Sequence, residues 1–102
     1  MRAYERLLNY VKIHTASAED KSCVPSFEGE FDLANLLADE MKALGLEDVR
    51  VDEHSYAYGV IPASKGYEDK TCVGFIAHID TIPGFSGKDV KPAVYENYDA
   101  GI

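Results

Sequence analysis

The feature that most constrains this chain is an apolar run, residues 72–77, that leads directly into His78 and then Asp80. An uninterrupted apolar run of this length predicts a strand that is buried on both faces of a sheet. Such a strand has to be paired along its edges and covered by helices on both sides. The rest of the chain, or another polypeptide, therefore has to supply these layers.

Two amphipathic helices are predicted in the first half of the chain. Apolar side chains at i, i+3, i+4 and i+7 spacing, Tyr4, Leu7, Leu8 and Val11, predict a helix over residues 2–14. A second helix is predicted over residues 28–44. Ser26 is suited to cap the start of the second helix, and Gly45 is suited to end it in left-handed backbone. The predicted buried stripe of the second helix comprises Leu33, Ala34, Leu37, Met41 and Leu44.

The sequence patterns that predict strands after these helices are weaker than that of the apolar run. Alternation of apolar and polar residues predicts a half-exposed strand over residues 49–52, and a further strand is predicted over residues 56–62. Residues 83–92 are rich in Gly, Pro, Asp and Lys, which predicts a surface loop. The predicted order of two helices followed by three strands is typical of an α/β fold. A length of 102 residues corresponds to one small domain.

Composition and charge narrow the range of partners. The formal net charge is −8 and the basic residues are not clustered, which argues against nucleic acid and against anionic membrane surfaces. No segment approaches the roughly 20 apolar residues that span a bilayer. The N-terminal residues lack the apolar region of a signal peptide, so a cytoplasmic location is expected. Cys72, at the start of the apolar run, is expected in the core.

His78 and Asp80 are the candidate site residues. Side chains two positions apart on a strand share a face, so these two groups are expected to lie side by side where the strand leaves the sheet. A neutral imidazole is a common zinc ligand, and a carboxylate on its other ring nitrogen fixes the tautomer. Asp80 could instead bind the metal itself, and without a metal the pair is a structural hydrogen bond. The His-x-Asp pattern alone leaves these three possibilities open.

The residues around this pair resemble a known family. Residues 74–81, Gly-Phe-Ile-Ala-His-Ile-Asp-Thr, and the following Ile-Pro-Gly-Phe-Ser-Gly-Lys-Asp-Val-Lys-Pro resemble the first metal-ligand segment of peptidase T. Peptidase T is a tripeptide aminopeptidase of the zinc aminopeptidase and deacylase superfamily. The first helix with its loop, and residues 24–29, Val-Pro-Ser-Phe-Glu-Gly, resemble counterparts in the same order. The resemblance extends over nearly the whole chain.

The resemblance implies part of an α/β/α zinc-exopeptidase layer, in which two N-terminal helices precede the strands of a mixed sheet. It implies that His78 binds one of two zinc ions and that Asp80 is the catalytic residue that supports this ligand. The remaining ligands and the general base of the family have no counterpart in these 102 residues. We therefore expect an inactive N-terminal portion of an enzyme that acts on short peptides, with no zinc bound stably by this portion alone.

Two alternatives to a tripeptidase stay open at this point. One is an amino-acid deacylase of the same superfamily, against which the loop over residues 83–92 argues. The other is a non-catalytic module that binds a partner chain. An N-terminal portion of this kind leaves one face of the predicted sheet without helices, so the chain is expected to form a homo-oligomer through edge strands or through that face.

Overall fold

The structure, a computed structural model, describes residues 1–18, 22, 25 and 28–99. Its regular elements in chain order are the helices α1 (Ala3–Tyr10) and α2 (Gly29–Ala43) and the strands β1 (Glu47–Val51) and β2 (Ala57–Val60). The two strands form an antiparallel hairpin, and α2 packs against both of them. The predicted α/β character is thus confirmed, whereas the zinc-exopeptidase layering and the single-domain assignment stay predictions.

Helix α1 is confirmed but is shorter than the predicted helix over residues 2–14. At its start, the Glu5 carboxylate accepts a hydrogen bond from the Arg2 N–H at 2.6 Å, which satisfies one amide that has no partner inside the helix. After Tyr10 the chain tightens into turns, in which the Ile13 N–H bonds to the Tyr10 carbonyl. The β-branched side chains of this stretch lower its helix propensity, which accounts for the earlier end.

The predicted end of the second helix is confirmed in detail. Gly45 has a φ of +89°, the left-handed conformation that glycine adopts without steric cost. Its N–H bonds to the Lys42 carbonyl, and the Leu46 N–H bonds to the Met41 carbonyl, both at 3.0 Å. These two bonds form a Schellman motif, which satisfies carbonyls that the helix leaves open. Ser26, the predicted N-cap, lies outside the described residues.

The core is small, and in the described part of the chain its buried apolar side chains all lie on α2. They are Leu33, Ala34 and Ala38. Leu37 and Met41 of the predicted stripe are half-buried. Leu44 is exposed, contrary to the prediction, because it occupies the C-cap position where the helix has ended.

Both predicted strands, β1 and β2, are confirmed, and each of their ends is shifted by one or two residues. The register places Arg50 opposite Tyr58, and it is irregular between Glu47 and Arg50. A Cβ on Gly59 would lie 2.8 Å from the Met41 sulfur, so a residue without a side chain lets the end of α2 approach β2 closely. The hairpin and the end of α2 therefore form one packed unit.

The prediction of a buried strand over residues 71–79 is wrong for this structure. Residues 71–80 contain neither helix nor strand, and Phe75 and Ile76 are 95% and 101% exposed. Cys72, expected in the core, is exposed as well. A central strand forms only when neighbouring strands bond to its backbone and layers cover its faces. Within the described residues the sheet consists of β1 and β2 alone, so such neighbours are missing there.

The segment after the apolar run is a surface loop, as predicted. Residues 83–92 form turns and bends, and the Lys88 N–H donates to the Ser86 hydroxyl at 3.2 Å. Gly87 is half-buried, whereas the rest of this loop is exposed. None of the helices in the described ranges is long and apolar enough to cross a membrane.

Candidate metal centre

The structure brings the two predicted site residues, His78 and Asp80, into contact. The His78 Nδ1 and Asp80 Oδ1 atoms lie 3.0 Å apart, which is a hydrogen-bond distance. An ionised carboxylate only accepts, so this contact requires the proton on Nδ1, and an imidazole in that tautomer has its lone pair on Nε2. The His78 side chain is 85% exposed, which leaves Nε2 accessible to a ligand.

The chemistry of this pair fits a divalent metal such as zinc. An imidazole nitrogen is a standard zinc ligand, and a carboxylate bonded to the other nitrogen fixes the ring and raises its basicity. The pair thus offers one ligand and its support. Among the described residues, no group of three or more His, Cys, Asp or Glu side chains is placed to hold a metal ion.

The residue after Asp80 is bonded to the loop that follows α1. The Thr81 N–H donates to the Thr15 carbonyl at 3.1 Å, and the Thr81 carbonyl accepts from the Ser17 N–H at 3.0 Å. The Ser17 hydroxyl donates to the same carbonyl at 3.2 Å. Ala16 and Thr81 consequently form an isolated parallel bridge. This bridge fixes the backbone on the C-terminal side of the candidate site.

Gly87 lets the surface loop close over this bridge. A Cβ at this position would lie 3.2 Å from His14 Cδ2 and 3.3 Å from Thr81 Oγ1, closer than ordinary van der Waals contact. His14 therefore lies beside the bridge and not in the His78–Asp80 pair. His54 lies in the hairpin turn, where its Nε2 is 3.6 Å from a Glu53 carboxylate oxygen.

A polar contact between α1 and α2 fixes the position from which the loop after α1 begins. The Tyr10 hydroxyl donates a hydrogen bond to the Glu40 carboxylate, and Arg6 Nη1 lies 3.2 Å from the same carboxylate oxygen. Burial and the adjacent Glu40 carboxylate raise the pKa of Tyr10 above its ordinary value. Because these contacts hold α1 on α2, the loop after α1 leaves from a defined position.

A cavity of about 390 Å³ lies beside the candidate site. Side chains of α1 and α2, among them Leu7 and Leu33, form apolar parts of its wall, and His78, Ile79 and Asp80 form another part. The pair therefore lies where an exposed polar surface meets an apolar recess.

The sequence pattern indicated His78 and Asp80 but not the residues of the bridge. Thr15, Ala16 and Ser17 contribute mainly backbone groups, which every residue type carries. The remaining signal is a polar Thr-x-Ser stretch after an amphipathic helix, and this pattern occurs in many loops. Finding the bridge from sequence would have required knowing which strand end meets this loop.

Comparison with known proteins supports the motif resemblance over nearly the whole chain. A peptidase T from Alkaliphilus oremlandii is 50% identical over 97 residues, which cover 93% of this chain. Peptidases T from Caldanaerobacter subterraneus subsp. tengcongensis and Bacillus pumilus are 48% and 45% identical over 96% and 95% of the chain. No protein-family profile matches the chain. The chain spans about a quarter, 23–24%, of the length of these relatives. The resemblance to peptidase T is therefore confirmed over nearly all of this sequence.

Proposed function

We propose that this chain, which matches about a quarter of the length of peptidase T relatives, supplies a metal-ligand segment of a zinc aminopeptidase. The proposed reaction is hydrolytic release of the N-terminal residue from tripeptides. The observation that supports the site is the 3.0 Å contact between His78 Nδ1 and Asp80 Oδ1. One ring nitrogen is held by this contact while the other stays accessible, as a carboxylate-supported zinc ligand requires.

The two residues have separate roles in this proposal. The chemistry that zinc supplies when bound is Lewis-acid activation of a water molecule and of the scissile carbonyl. His78 offers Nε2 as the ligand, and Asp80 keeps the proton on Nδ1 and holds the ring in one orientation. We assign the other ligands and the general base to polypeptide that corresponds to the rest of the relatives' length.

This assignment also defines what the chain does alone. A catalytic zinc site takes about three protein ligands and a water molecule. With one ligand and its support, the 102 residues are proposed to be inactive and to bind zinc only weakly, whereas the complete enzyme holds two zinc ions. Short peptides are the proposed substrates and the cytoplasm the proposed location, with no nucleic-acid or membrane partner. The net charge of −8 supports the last point.

A chimera tests the proposal directly. This chain replaces the matching quarter of the Alkaliphilus oremlandii peptidase T, to which it is 50% identical. The chimera is expected to hydrolyse a tripeptide in the presence of zinc. The substitution His78→Ala in the chimera is expected to lower kcat/KM by at least about 100-fold, and Asp80→Asn by about 10- to 100-fold. The unfused chain with zinc is expected to show no turnover.

His54→Ala provides the control, because it removes another exposed histidine that lies in the hairpin turn. It is expected to leave the chimera's activity unchanged. Full activity of the His78→Ala chimera would show that His78 is not the zinc ligand. Preference for N-acyl amino acids over tripeptides would favour the deacylase alternative, and a folded but inactive chimera would favour the non-catalytic module.

A further inference from the structure

We infer that Ser17 is a positioning residue for the candidate zinc ligand, which it holds through Thr81. The inference rests on the proposed function, because it takes His78 as a metal ligand. It adds a residue far away in sequence that touches neither ring nor carboxylate of the pair.

The backbone of Thr81 carries the contact. Its N–H donates to the Thr15 carbonyl at 3.1 Å, and its carbonyl accepts from both the N–H and the hydroxyl of Ser17, at 3.0 and 3.2 Å. Both backbone groups of the residue next to Asp80 are thus bonded to one loop. Three hydrogen bonds at a single residue limit the freedom of the peptide that precedes it.

The N-terminal side of the pair has no comparable support. Within the described ranges, residues 71–77 form no backbone hydrogen bond to another element, and their large side chains are exposed. Exposure decreases only at Ile79 and Asp80, which are half-buried. The segment that carries His78 and Asp80 is therefore held at its C-terminal end.

This one-sided support has a consequence for metal affinity. The His78 and Asp80 side chains, 85% and 41% exposed, lose rotamer and backbone freedom when they form a hydrogen bond, and this loss opposes the contact. A fixed Thr81 removes part of that freedom before the contact forms. If a metal binds the assembled pair, its apparent dissociation constant rises as the assembled fraction falls. Loss of the Ser17 contacts should thus weaken metal binding while every ligand atom is retained.

Substitutions at Ser17 separate its two donors. Ser17→Ala removes the hydroxyl, Ser17→Pro removes the hydroxyl and the N–H, and Ser17→Thr keeps both. Ser86→Ala is the matched control, because the Ser86 hydroxyl accepts from the Lys88 N–H at 3.2 Å in an exposed loop. That control removes the hydroxyl of an exposed serine, whereas Ser17 is half-buried, and it alters no contact to Thr81.

The test is a zinc titration of the 102-residue chain, followed by NMR of the imidazole nitrogens. We expect Nε2 of His78 to respond to zinc, with Nδ1 remaining protonated. Loss of hydrogen bonds of ordinary strength predicts an apparent dissociation constant raised about twofold in Ser17→Ala and up to about tenfold in Ser17→Pro. Ser17→Thr and Ser86→Ala should bind like the parent chain. The Nδ1–H signal should weaken in step with affinity, a change that a loss of overall stability would not confine to His78.

The outcomes distinguish this inference from the proposed function. If His78→Ala abolishes the zinc response but Ser17→Ala and Ser17→Pro bind like the parent, the inference is wrong and the proposed ligand stands. If His78→Ala responds to zinc like the parent chain, both are overturned. If the parent chain shows no response at His78 at any zinc concentration, the inference about Ser17 is overturned, whereas the proposed ligand is judged by the chimera. Should Ser17→Pro fail to fold, as judged by circular dichroism, the comparison of Ser17→Ala with Ser17→Thr decides.

Discussion

Two regions of the molecule differ in backbone hydrogen bonding and in the burial of their apolar side chains. They are the α2–hairpin unit, residues 29–60, and the apolar segment, residues 71–78. In the α2–hairpin unit, β1 and β2 bond to each other and α2 covers them. In the apolar segment, side chains such as Ile76 are fully exposed, and the described residues provide no strand beside it. The segment with the greater apolar content is therefore the one without a sheet.

This difference shows that available partners, more than apolar content, decide which segment forms a strand here. The α2–hairpin unit is held together by contacts between residues that are close in sequence. Gly45 ends α2 directly before β1, and the Asp52 carboxylate accepts the N–H groups of His54 and Tyr56 in the turn between the strands. A strand apolar on both faces needs two neighbours and two covering layers, and these contacts are distant in sequence.

The largest expected effect is a difference in the free energy of unfolding between two substitutions, one in each region. Leu33→Ala removes a side chain that is 7% exposed in the α2–hairpin unit. We expect it to lower the free energy of unfolding by about 2–3 kcal/mol, because the core is small and a cavity remains. Ile76→Ala, at a fully exposed position of the apolar segment, should change it by less than about 0.5 kcal/mol. Urea denaturation followed by circular dichroism measures both.

Equal losses from both substitutions would contradict the comparison. They would mean that the apolar segment is packed in solution, against a second copy or another part of the chain. Val73→Ala, at a second exposed apolar position of the same segment, serves as a check that the result does not depend on one residue.

How much of this structure follows from sequence depends on the range of the contacts involved. Both helices, the Gly45 end of α2 and the strands β1 and β2 depend on residues close in sequence, and the pattern predicts them. The antiparallel pairing of the two strands is a finding of the structure. The apolar run was assigned to a buried strand because its composition is typical of one, but burial requires partners that a local pattern does not contain. His78 and Asp80 were predicted to lie together from their i, i+2 spacing, and they do. Their support by Ser17 joins positions too far apart for any such pattern.

The second prediction concerns association, which the exposed segment favours. We propose that two copies of the chain associate through residues 71–78, where Phe75 and Ile76 form exposed apolar surface. Ile76→Lys should abolish this association, whereas Ile82→Lys, at an exposed position directly before the surface loop, should not. Sedimentation equilibrium measures the effect. Since each copy carries a net charge of −8, added salt should strengthen association by screening repulsion. A monomer at all concentrations and salt levels would contradict the proposal.

The smallest expected effect concerns the turn that makes the hairpin self-sufficient. Partial burial opposes the charged form of Asp52, but the N–H groups of Tyr56 and His54 and the Tyr58 hydroxyl outweigh this, so its pKa lies below the ordinary value of 3.8. The unfolded chain then binds more protons in acid than the folded chain does. The stabilisation by Asp52 is complete above pH 3.8 and is lost as the pH falls through the lower folded pKa.

Asp52→Asn should remove this part of the acid dependence, because an amide keeps an acceptor oxygen for the turn but does not titrate in this range. Glu53→Gln is the control, since the Glu53 side chain is 82% exposed and adjacent in sequence. Urea midpoints between pH 2 and pH 6 are expected to fall less steeply for Asp52→Asn than for the parent chain or Glu53→Gln. If all three chains lose stability equally on acidification, other carboxylates govern the acid response. The stability of the hairpin would then come from packing against α2 and not from its turn. The hairpin and the apolar segment would differ only in whether a helix covers them.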